Sequence, residues 1–161
     1  MTKTNGAHQH VWFALADAEA CRLLYCTLTT QGTHHVDEYD ALQNNLPHQE
    51  QARPMTNAGT KHNVEEGERR FASEIVSWLQ ARAGQYEISH LVILAPPRML
   101  GVIRSVPLGS LKGRVDELKG DLMRLQVGQL ADHPMVRELM SQQQHLQTTA
   151  SGGSLSKDIH G

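Results

Sequence analysis

Cysteine is nearly absent from this 161-residue chain, with Cys21 and Cys26 its whole complement. Their odd spacing points two thiols on one strand to opposite faces, which argues against a disulfide between them. Without a second cysteine pair they also make a poor zinc site. No charge of one sign dominates: the net charge is −2, so there is no global basic field to attract nucleic acid. No apolar run approaches the roughly 20 residues of a membrane-spanning helix. Met1 to His10 is polar and lacks the apolar region of a signal peptide. These absences point to a cytoplasmic protein with no membrane partner. The ten histidines are scattered, without an HExxH pattern, and adjacent His34 and His35 diverge on a strand, so no metal site is expected. Neither a phosphate-binding nor a dinucleotide glycine pattern occurs, since Gly109 to Gly113 is spaced for neither. A nucleophile elbow is missing as well. No cofactor is indicated, no internal repeat is visible, and the length suits a single domain.

What is present is organised around Leu91-Val92-Ile93-Leu94-Ala95-Pro96-Pro97-Arg98. An uninterrupted apolar run of this length reads as a strand covered on both faces. Proline cannot continue a central strand but fits the first turn of a helix, so the strand should end at Ala95 and a helix begin near Pro97. Met99, Leu100 and Ile103 would form its buried face, with Arg98 and Arg104 off it. Gly101 would allow close packing on a neighbour.

Val11 to Ala16 is a second buried strand. Asp17-Ala18-Glu19 is a tight reversal, and Ala20 to Thr27 returns. After a turn at Thr29 to Thr33, His34 to Ala41 carries Asp37, Glu38 and Asp40, which suits an edge strand and leaves homodimerisation by strand addition open. Leu42 to His62 has almost no large apolar residues and is expected to be a mobile loop, either disordered or partner-binding. Asn63 reads as an N-cap, Phe71, Ile75, Trp78 and Leu79 as one helix face, and Gly84 as the residue past its end. Leu108 to Lys112 reads as helical, Val115 to Leu118 as a last strand and Asp121-Leu122 as the start of a helical turn. Gln126 to Met140 is interrupted by Pro134. The flexible ends would be residues 1–10 and 141–161, around one α/β domain at 11–140. A right-handed crossover would set the central strand beside the first, giving a mixed five-stranded sheet in the order 3-2-1-4-5, similar to the ribonuclease-H-like arrangement.

Val11 to Asp17, Arg70 to Ile75, Leu91 to Arg104 and Asp121-Leu122 together resemble the bacterial host attachment protein family. The most specific part is Ala95-Pro96-Pro97-Arg98-Met99-Leu100-Gly101-Val102-Ile103-Arg104. The resemblance implies a fold like the middle domain of archaeal and eukaryotic peptide-chain release factors. In those proteins a Gly-Gly-Gln loop promotes peptidyl-tRNA hydrolysis; the corresponding stretch here contains Arg53-Pro54-Met55-Thr56-Asn57-Ala58-Gly59. Family members often carry a lysine just before the Asp-Leu pair, where this chain has Gly120, with Lys119 one residue earlier.

Ligands of open α/β sheets favour the carboxyl ends of the strands. With what the resemblance implies for the Asp-Leu turn, the binding candidates are Asp17, Pro96, Pro97, Arg98, Gly101, Arg104, Lys119 and Asp121. Asp17 sits where ribonuclease-H-like nucleases keep a metal-binding carboxylate, but one carboxylate is not a two-metal site, and a turn role for Asp17 and a cap role for Asp121 suffice. Arg98, Arg104, Lys112, Arg114, Lys119 and Arg124 could form a local basic face for RNA or the ribosome, with few aromatics nearby to stack bases. The leading expectation is a non-enzymatic interaction protein with an unidentified protein partner. The alternatives are a translation-associated RNA or ribosome binder and a metal-dependent nuclease or hydrolase.

Overall fold

The computed structural model describes residues 9–45 and 57–142, and for 57–64 the backbone alone. The strands are β1 (His10–Ala16), β2 (Ala20–Leu28), β3 (His34–Gln43), β4 (Leu91–Ala95) and β5 (Val115–Lys119). They form one sheet in the order β3-β2-β1-β4-β5. β1 runs parallel to β4, with Trp12 opposite Leu91 and Leu15 opposite Leu94. β5 is parallel to β4, from Leu91 opposite Val115 to Ala95 opposite Lys119. The expected order and the expected place of the Leu91 strand both hold. β4 is buried along its whole length, as its unbroken apolar sequence requires. β3 lies at one end of the sheet, and its acidic residues Asp37 and Glu38 are exposed.

The helices are α1 (Asn57–Tyr86), α2 (Pro97–Arg104) and α3 (Val127–Asp132), with a 3-10 turn at Gly109–Leu111. A further helix, α4, covers 134–142, with Pro134 at its first position. The backbone falls into two units. One comprises residues 12–24 and 39–124; the other, among the described residues, comprises 9–11, 25–38 and 125–142. In the first unit, one sheet face contributes Ala14, Ala16, Cys21, Leu23, Leu91, Ile93 and Ala95 to the core. α1 adds Phe71, Ala72, Ile75, Val76, Leu79 and Ala83, and α2 adds Met99, Leu100 and Ile103. In the second, Val11, Cys26, Val36, Leu130, Ala131, Val136, Leu139 and Met140 are buried.

Several boundaries differ from expectation. α1 begins at Asn57, so residues 57–62 of the expected loop are helical and Asn63 is not an N-cap. The stretch lacks proline and large apolar groups; once a helix exists, adding residues needs only backbone hydrogen bonds, not burial. Residues 42–43 of that loop belong to β3, and 46–56 lie outside the described residues. Gly84 is inside α1, not past its end. The helix stops instead at Glu87, whose φ of 55° is left-handed, and the Ile88 N–H donates to the Ala83 carbonyl at 2.8 Å. That is a Schellman termination built without glycine. Leu108 to Lys112 shortens to the single 3-10 turn. Asp121-Leu122 is not helical, so Asp121 caps nothing; the next helix starts at Val127, where the Gln126 N–H donates to Gln129 Oε1 at 2.9 Å.

Candidate functional site

α2 takes its position from the double proline. Pro96 is extended (φ −59°, ψ 155°) and Pro97 opens the helix, so β4 ends and the chain turns within one residue. Met99, Leu100 and Ile103 face the core as expected. The opposite stripe, Arg98, Gly101, Val102 and Ser105, recurs at i, i+3, i+4 and i+7. It lines one wall of an open groove whose other wall is Glu65, Glu68 and Arg69 of α1.

The groove is held by a fork. Arg98 donates from Nε to Glu68 Oε2 at 3.1 Å and from Nη2 to Glu68 Oε1 at 3.2 Å. The arginine is 68% exposed and the carboxylate 18%. Glu68 stands seven residues before Ile75 and three before Phe71, so it continues the apolar stripe of α1. It marks where that stripe turns from apolar to charged. Sequence reasoning missed it, although an acid at a core-facing spacing was the available signal. Gly101 does not pack on a neighbour, contrary to expectation: among the described residues, a Cβ built there would meet nothing within 4 Å. It leaves the groove open.

The other candidates lie elsewhere. Arg104, in the last turn of α2, donates from Nε to Glu117 Oε1 of β5 at 2.6 Å. The strand ends of β1, β4 and β5 do share one edge of the sheet, and the Gly120 N–H donates to the Ala95 carbonyl at 3.0 Å. Asp17, Pro96, Lys119 and Asp121 therefore mark the same edge. The Asp17 carboxylate is turned into its own reversal: Oδ1 accepts from the Glu19 N–H at 2.8 Å and the Ala20 N–H at 2.9 Å. This is an Asx turn, and it fixes the β1–β2 connection. Lys119 and Asp121 are exposed. Arg22 Nη1 donates to the Met123 carbonyl at 2.8 Å, which ties the segment after β5 to β2.

Both cysteines are free and buried. Burial pushes the Cys21 thiol far up, with the Asp17 carboxylate adding to the shift. Burial raises Cys26 to about 11 against a lowering hydrogen bond from the His35 backbone. Thiols so protonated are poor nucleophiles and poor metal ligands. Among the described residues no three His, Cys, Asp or Glu side chains are grouped to hold a metal ion. Nor is any described helix long and apolar enough to cross a membrane.

Among solved structures, the chain is similar to an archaeal translation termination factor (9% identity, TM-score 0.42), covering 90% of this chain and 42% of that one. It is also similar to a Ppx/GppA family member from Aquifex aeolicus (8% identity, TM-score 0.37, 70% and 35% covered). A structure described as an archaeal protein matches at 11% identity and TM-score 0.41, with 93% and 41% covered. The chain thus spans about two fifths or less of each of these proteins. No curated protein matches its sequence. The family model described as "Protein required for attachment to host cells" matches residues 12–133, and the chain belongs to that family.

Proposed function

We propose that the chain is a non-enzymatic interaction protein of the attachment family and that a protein partner seats on the groove between α1 and α2. The observation that carries this reading is Gly101. A glycine inside a helix costs about 1 kcal/mol relative to alanine. Here no close packing requires it, since the space above its Cα is open. A partner that approaches the α2 backbone would give that opening a use.

The charges support a protein partner over RNA. The groove carries both signs, Glu65 and Glu68 against Arg69 and Arg98. Of the basic residues in the second half, Arg98 and Arg104 are each engaged by a carboxylate, which diminishes any continuous basic face. Asp17, the carboxylate a nuclease reading would use, has one oxygen, Oδ1, engaged by two backbone donors of its own turn.

The test is complementation of a deletion strain with Gly101→Trp, read as attachment to host cells. The exposed position should accept the indole with an unchanged melting temperature, and attachment should fall to the level of the deletion. Wild-type attachment by a folded Gly101→Trp protein would overturn the groove as the binding surface.

A further inference from the structure

The α1 stripe beside the Gly101 groove carries a different chemistry. Glu66, Arg69, Arg70 and Ser73 line a second open groove, of about 490 Å³, whose far wall is Ser105, Val106 and Pro107. Arg69 and Ser105 border both grooves; Gly101 borders the first alone. Arg69, Arg70 and Ser73 are all exposed on α1.

The arginines of this region divide into two kinds. Arg98 is held in a fork by Glu68, and Arg104 is paired with Glu117 through its Nε. Arg69 and Arg70 have no acidic partner among the described residues, although they line a concave surface. Glu66, the acid of that surface, has an interaction of its own. Ser73, one helical turn beyond the arginines, adds a hydroxyl donor on the same side. The Ser105 hydroxyl donates to the Val102 carbonyl at 2.6 Å, so its remaining capacity is to accept. Val106 is buried and Pro107 carries no backbone N–H, so the far wall is apolar next to the acceptor.

From this arrangement we propose that the second groove binds a small phosphorylated molecule through its phosphate. Two guanidinium groups and one hydroxyl lining one groove supply donors to a tetrahedral oxyanion with at least three acceptor oxygens. A planar carboxylate would be satisfied by one guanidinium fork and leave the other without a use. Ser105 accepts from a hydroxyl of the phosphate or of the group it esterifies. The groove is open to solvent, so the interaction is electrostatic and weak. The proposal is separable from the protein partner argued above: the two grooves share Arg69 and Ser105, but Gly101 lines the first alone and Arg70 and Ser73 the second alone.

The experiment is a titration of the ¹⁵N-labelled full chain with inorganic phosphate, followed on the arginine Nε–Hε signals, with sodium chloride at matched ionic strength as control and pyrophosphate as a larger probe. Saturable shifts are expected at Arg69 and Arg70, with Arg98 and Arg104 unmoved. Arg69→Gln with Arg70→Gln should weaken phosphate at least tenfold and Ser73→Ala two- to fivefold. Glu66→Gln should strengthen it about twofold by removing a like charge. The positions are exposed, so thermal melts should match the wild type. Shifts that chloride reproduces, or saturable binding that the double arginine variant leaves intact, would overturn the proposal.

Discussion

The two halves of α1 are held by different forces. From Phe71 to Ala83 the helix buries Phe71, Ala72, Ile75, Val76, Leu79 and Ala83 at spacings that keep one face on the sheet. From Glu65 to Arg70 no residue is buried, and the stripe that should continue the apolar face carries Glu68 instead. At 1.5 Å per residue the helix is about 45 Å long, more than the strands beneath can cover. The hydrophobic effect fixes the second half; the first is tied through an ion pair to Arg98. Both grooves are lined from α1 mainly by the tethered part, with Ser73 of the packed half reaching the second.

The comparison breaks most visibly in the packed half. Phe71 is fully buried, and Phe71→Ala should cost about 3–5 kcal/mol in urea unfolding, as large-to-small core changes do. An exposed change in the tethered half, such as Arg70→Ala, should stay within about 0.5 kcal/mol. Equal effects would mean that the two halves are anchored alike.

Next in size is Gly109→Ala. Gly109 has φ +60°, and an added Cβ would run into Gln80 Nε2, which donates to the Leu108 carbonyl at 2.5 Å. Backbone strain plus a displaced hydrogen bond should cost about 2 kcal/mol. Gly113→Ala, at φ +81° with open space, should cost about 1 kcal/mol, the backbone share alone. Smaller again, and opposite in sign, is Gly84→Ala. This glycine is inside α1 and, among the described residues, has no neighbour at its Cβ position, so alanine should stabilise the protein by about 0.5–1 kcal/mol. All three are read by thermal or chemical denaturation.

The packed half was also the legible half. Leu91 to Ala95 and Val11 to Ala16 announce buried strands because nothing but apolar residues can occupy a sheet covered on both faces. Phe71, Ile75 and Leu79 announce a helix face through their period, and Pro96-Pro97 the exact junction of strand and helix. The tethered half is poorly written in local sequence. Residues 57–62 are helical without the apolar period that signals a helix. The pairing of Glu68 with Arg98 spans 30 residues of chain, a relation that no periodicity expresses. Gly101 shows the same limit: a mid-helix glycine means either close approach or deliberate emptiness, and only the neighbours decide. Of the eight candidate residues, Arg98 and Gly101 face the groove, Pro96 and Pro97 form the strand–helix junction, Arg104 pairs with Glu117, Asp17 holds its own turn, and Lys119 and Asp121 are exposed.

The smallest effect sharpens the contrast furthest. An exposed ion pair contributes about 0.2–1 kcal/mol, and Arg98 is 68% exposed. Arg98→Ala should destabilise more than Glu68→Gln, because it leaves a carboxylate that is only 18% exposed without its partner. A double-mutant cycle should give a coupling of about 0.5 kcal/mol that shrinks with added salt. Glu68→Leu with Arg98→Ala completes the apolar stripe and should equal or exceed the wild type in stability, since hydrophobic replacement of an ion pair is often neutral or favourable. If that variant is stable yet fails in the attachment assay, the fork serves the groove and not the fold. If it is stable and attaches normally, the fork has no part in binding, and the tethered half of α1 is only a solvated extension of the packed one.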